Sequence, residues 1–505
     1  MNKIVIALMG VVASFGNLGA QTPIPNKIST NLTLTANSEY LLSGYTYVMP
    51  GYTLTIEPGV TIYAEEGTGS SAAALVVTRG ARIHAEGTST NPIVFTSILD
   101  KTVGNLDADD TGLWGGVCIL GNGILNSNKS GSFSGDYPTN DIEGFIPASG
   151  DEGLINYGGS DNSESSGVFR YVSLRHGGAI ISEGNEINGL TLGGVGSGTV
   201  IDHVEVYANK DDAVEIFGGA VSLSHIICAF AYDDGLDLDQ GWLGQVQHLF
   251  VIQRAGQGGN TDKGDKGGEW DGNDKPTTRG PKMLLQLANA TFIGMGTESS
   301  NTAINIRANG AAEVYNSIFI EYNKMLQIDK DSDSATYNRF LAGESKFEGN
   351  IWYSSTPANN TVTGLAVTGE AYCSPLDAFF SGTNQIVDPG LTVSRVLGAQ
   401  ALDVQPALNS AAVTTATANV PAGLTKTSYK GAFDPYYNWA TGWTKLYNDG
   451  YFVAKGTWFD HPEWGWIYLD SGALENGSYV YFKNTDQWIW VAASDASGYW
   501  TYLFK

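Results

Sequence analysis

The chain has 505 residues, 64 of them glycine and only 16% charged, which suits one large solenoid or a few ordinary domains. Its formal net charge of −25 excludes a nucleic-acid role, which needs clustered Lys and Arg. Three scattered cysteines form no disulfide framework, and six histidines without paired spacing give no zinc motif.

The first element is a leader. MNKIVIALMGVVASFGNLGAQ joins an early lysine to an apolar run and small residues, predicting a secretory signal peptide over 1–20. The apolar run is too short for a membrane anchor, and no later segment reads as a span. The expected location is secreted or cell-surface.

From residue 21 the chain reads as short strands. LTIEPGVTIYAE (54–65) and ALVVTRGARIHAEGTSTNPIVFTS (74–97) alternate apolar and polar residues, as strands with one buried face do. Further on the alternation repeats. Val214-Glu215-Ile216 returns as Leu236-Asp237-Leu238, and Ile304-Asn305-Ile306-Arg307 as Leu326-Gln327-Ile328-Asp329, each after 22 residues. Units this short cannot enclose a core alone, so they must stack. The predicted fold is all-β, a right-handed parallel β-helix over 21–454, its hand following from the crossover rule.

Stacking places equivalent residues of successive coils about 4.8 Å apart. With Leu236 and Leu238 inward, Thr191, Glu215, Asp237, Asn305 and Gln327 form one outer column. Phe217, Asp239, Arg307 and Asp329 form a second, with Glu269 and Asp271 expected between the coils of 237 and 305. Asp212 and Asp234 sit at the corner before this face. His203, His225 and His248 share another column and read as a packing ladder, with Arg175-His176 a secondary candidate. The stretch 256–282 reads as a long insertion whose Trp270, between two acids, would suit stacking on a sugar ring.

After residue 454 the composition changes. WGWIYL (464–469) and QWIWVA (487–492) start a separate aromatic β module over 455–505. Trp466 and Trp488 are its candidate sugar-stacking rings. The module resembles the Trp/Tyr-rich repeats ending some bacterial surface proteins and, more loosely, choline-binding repeats.

The segments quoted above, with GLWGGVCILGNG (112–123), the run from Phe169 to Gly219 and YKGAFDP (429–435), resemble exported bacterial β-helix proteins of the pectin-lyase-like superfamily. The resemblance covers most of 30–450 and implies the fold more than an activity. Pectate lyases on this fold hold calcium on acidic outer-face residues, with a basic residue abstracting a proton. On their clustering in stacked columns, Asp212, Asp234, Glu215, Asp237 and Asp239 are candidate Ca2+ ligands. Polygalacturonase-type hydrolases are imitated only in part, by Asn209-Lys210-Asp211 and Asp233-Asp234; their Gly-His-Gly is missing and no Lys follows Arg307 at the required spacing.

Three readings stay open. One is contact with extracellular polysaccharide through calcium on the acidic face. Another is a lyase or glycoside hydrolase acting on acidic glycans with Asp234, Asp237, Glu215 and Arg307, since crowded carboxylates about 5 Å apart suit acid–base work. The third is a structural or adhesive rod with a solvated acidic face.

Overall fold

The computed structural model describes residues 21–449, except 37, 105, 128–136, 183, 255–263, 273–278, 297–300, 331–334, 356–364, 368–382 and 392–403, and the backbone of five strands between Thr457 and Tyr502. The proposed leader therefore lies outside the described residues. No helix among them is long and apolar enough to cross a membrane.

The alternation of apolar and polar residues closes as expected into a parallel β-helix. An eighteen-stranded and an eleven-stranded sheet run the length of the solenoid. The smaller sheet includes, in order, Tyr45–Val48, Ala74–Val77, Val117–Leu120, Leu190–Gly193, Val214–Phe217, Leu236–Asp239, Lys266–Asp271, Thr302–Arg307 and Lys324–Ile328. Leu75, Val117, Leu190, Val214, Leu236, Ile304 and Leu326 line the enclosed core. Burial of these aliphatic side chains drives the stacking, since no coil has a core of its own.

The register follows the repeat within pairs of coils and is interrupted between them. Val214 pairs with Leu236, and Ile304 with Leu326, but Leu236 pairs with Gly268, 32 residues on, and Gly268 with Ile304, 36 residues on. The coil after Leu236 is ten residues longer than the repeat, and the sheet resumes at Lys266. Trp270 thus falls in register with Leu238 and Ile306 and is 0% exposed. The expectation that Trp270 stacks on sugar is corrected: strand alternation turns its ring into the core.

In the larger sheet a column of left-handed residues bends each long strand. Tyr171, His203, His225, His248, Asn289 and Asn316 have φ of 49°, 55°, 54°, 60°, 55° and 50°. This conformation is uncommon for non-glycine residues, with Asn and His among the better tolerated. It turns the rings outward into a stack, with centroid spacings of 4.2 Å from Tyr171 to His203, 4.2 Å to His225 and 4.7 Å to His248. Trp439 and Trp443 meet that ladder edge-on. They belong to a return segment pinned by Glu205, whose buried carboxylate accepts the N–H groups of Lys445 and Leu446 at 2.7 and 2.9 Å.

The strands Thr457–His461, Gly465–Leu469, Ser478–Phe482, Gln487–Ala492 and Thr501–Tyr502 form a separate antiparallel sheet. The side chains of Trp466 and Trp488 lie outside the described residues.

Candidate functional site

The carboxylates gather where the repeat puts them. Thr191, Glu215, Asp237, Glu269, Asn305 and Gln327 are consecutive register partners across the smaller sheet. Odd and even positions of a strand face opposite ways, so these stand on the outer face while their neighbours fill the core.

The corner acids are tied to the backbone. Asp212 Oδ1 accepts the N–H of Asp234 at 2.8 Å, and Asp234 Oδ1 accepts the N–H of Lys266 at 2.7 Å. Each carboxylate therefore satisfies the amide of the equivalent residue one coil on. Both are buried, 6% and 2% exposed.

Asp212, Glu215 and Asp237 bring one oxygen each within 4.8 Å of one another, and Asp234, Asp237 and Glu269 do the same. Glu215 takes an N–H from Asn188. Asp237 Oδ1 is buried with no hydrogen-bond partner, as is the Oδ1 of Asn188. Asp239 stands two residues along the strand, accepts the N–H of Gln240 at 2.6 Å, and lies outside both groupings.

Two cations border the cluster. Lys266 lies 3.1 Å from Glu269 and 3.9 Å from Asp234, and also pairs with Asp265. Arg307 turns to the preceding coil, 2.7 Å from Asp271 and 3.1 Å from Glu269. Arg307 thus forks onto Glu269 and Asp271. Asp329 accepts from Gln327 at 2.9 Å.

Burial pushes Asp212, Glu215, Asp234 and Asp237 well above the ordinary carboxylate range, and neighbouring carboxylates push the same way. At Asp234 the charge of Lys266 works against the rise. Asp211, at the rim, is pushed up to about 7 by burial and by Asp233. Lys266 is opposite: burial would lower it, but Asp234, Glu269 and Asp265 outweigh that and raise it.

An all-oxygen donor set fits a hard cation. Oxygens this close can all reach one ion at the roughly 2.3–2.6 Å typical of calcium, and the unpartnered Asp237 Oδ1 gains a partner. Asp212, Glu215 and Asp237, or Asp234, Asp237 and Glu269, are the residues that would hold it.

Lys266 escaped the sequence reading because the ten-residue bulge hid its register with Asp212 and Asp234. His176, the secondary candidate, is wholly buried, with Nδ1 2.7 Å from the Asp110 carbonyl oxygen, and is not offered to the acidic face. Cys118 and Cys228 are buried free thiols.

A family match agrees with this architecture. Residues 26–384 match a family profile described as a pectate-lyase like beta helix domain. Among solved structures, the crystal structure of pectate lyase Pel9A aligns with a TM-score of 0.36 and 13% identity, covering 77% of this chain and 88% of that one. No curated protein matches the sequence significantly.

Proposed function

This chain belongs to the pectate-lyase-like β-helix family, and from that premise we propose that it is an exported protein that binds acidic extracellular polysaccharide through calcium held on its stacked acidic face. The observation that carries the reading is the unpartnered Asp237 oxygen among crowded carboxylates. An acidic glycan would be repelled by that face unless a cation stood between them. Bound calcium supplies that positive charge. Arg307, 42% exposed at its side chain, is available to pair with a sugar carboxylate while braced by Asp271 and Glu269.

Eliminative cleavage is the second reading, favoured by the placement of Arg307 beside the cluster, where its guanidinium is placed to hold the sugar carboxylate. There a base takes the proton next to the sugar carboxylate, the bond to the leaving sugar's oxygen breaks as that oxygen gains a proton, and a carbon–carbon double bond forms.

Retention of the full chain by immobilised polygalacturonate, with calcium and with a chelator, tests the binding reading. Calcium-dependent retention that Asp237→Asn abolishes is expected. Retention unaffected by chelator, or none at all, would overturn it. Ultraviolet-absorbing unsaturated products would add the lyase reading.

A further inference from the structure

The outer face of the smaller sheet changes character partway along the solenoid. Tyr47, Val76 and Cys118 stand in register with Thr191, Glu215 and Asp237. Yet Tyr47, Val76 and Cys118 are 3%, 0% and 0% exposed. They are sealed under Ile142, Phe145, Ile155 and Tyr157, which join them in one apolar cluster. Phe145 stacks on Tyr45 with centroids 4.7 Å apart.

Tyr157 marks the edge of this cover. Its ring lies so close to Gly193 that a Cβ there would come within 2.6 Å of it, and it tilts against Phe217 at 5.7 Å. Its hydroxyl bonds to Gln240 Oε1 at 3.3 Å and accepts from Asn140 at 3.3 Å, so the ring is held from both sides. Gly193 and Phe217 share a column with Asp239, the next coil. The switch from apolar and sealed to acidic and half-buried therefore occurs within one coil.

The groups suited to an acidic glycan run along the stack axis, from Glu215 and Asp237 to Arg307. A chain lying on them meets the Tyr157 cover at one end and cannot continue over Val76 and Tyr47. We propose that the acidic face is blocked at its N-terminal end by this cover, so that the protein takes an acidic polysaccharide by a chain end rather than along its length. This rests on the polysaccharide reading above and adds to it the mode of engagement.

The test compares binding of the full chain, in calcium, to polygalacturonate and to the same material cut to about one tenth of its length. End capture predicts that half-saturation, in sugar mass, falls about tenfold with the shorter chains, in proportion to their ends. It also predicts one protein per chain end. Unchanged half-saturation with many proteins per long chain would overturn end capture while leaving the polysaccharide reading intact. Binding of neither preparation would overturn both.

Discussion

Asp212 and Asp234 are joined across one coil by a side-chain-to-backbone hydrogen bond of 2.8 Å, and Asp234 repeats the bond to Lys266 at 2.7 Å. Aspartates recur at this corner because each holds an amide of the next coil, and their crowding is a by-product that the proposed cation would relieve. The two roles separate by substitution. Asp212→Asn keeps an acceptor for the Asp234 N–H, so urea unfolding should show stability close to the parent while calcium affinity drops. Asp212→Ala strands a buried amide and should cost about 1–3 kcal/mol. Equal stability losses in both variants would contradict the division.

Trp270 is a core residue despite its acidic neighbours. Trp270→Ala should destabilise the solenoid by about 3–5 kcal/mol in denaturant unfolding. Trp270→Phe should retain most of the stability and all of the polysaccharide retention. Loss of retention in a stable Trp270→Phe protein would restore the ring to the binding surface.

Much of this was legible in the residues. The 22-residue recurrence at Val214 and Leu236, and at Ile304 and Leu326, gave strand, face and column, and the observed pairings follow it. What the alternation could not supply was register across a bulge, which is why Trp270 read as exposed and Lys266 passed unnoticed. Nor could it show the cover. Ile142, Phe145 and Tyr157 carry no periodic pattern, and their contact with Val76 and Cys118 is long-range.

The histidine ladder should make the protein acid-sensitive. Burial lowers both His203 and His248, the latter to about 3, with the neighbouring His225 adding to the fall at His248. Asp202 lies 2.9 and 3.0 Å from His203 and His225 and is paired in turn with Arg170, while Tyr171 and Tyr429 close the ends of the stack. A histidine with a folded value below its unfolded one, about 6.5, binds protons more readily when unfolded. Its contribution is therefore complete above about pH 6.5 and shrinks as the pH falls toward 3. For His248 the loss by pH 4 is on the order of 3 kcal/mol. His248→Asn should flatten the decline in stability between pH 6.5 and 4, measured by denaturant midpoint. An equally steep decline in that variant would remove His248 from the account.

Glu205 fastens the return segment that carries Trp439 and Trp443. Glu205→Ala leaves the amides of Lys445 and Leu446 without their acceptor and should cost about 2–4 kcal/mol. Limited proteolysis should then cut within 429–449 before the solenoid core. A variant as resistant as the parent would show that apolar packing alone holds the segment.

Calorimetric titration of the full chain decides whether the stacked carboxylates hold calcium. Saturable binding in the micromolar range is expected, lost in Asp237→Asn and in Asp234→Asn while both variants remain folded. No binding up to millimolar calcium, or parental binding in Asp237→Asn, would contradict it.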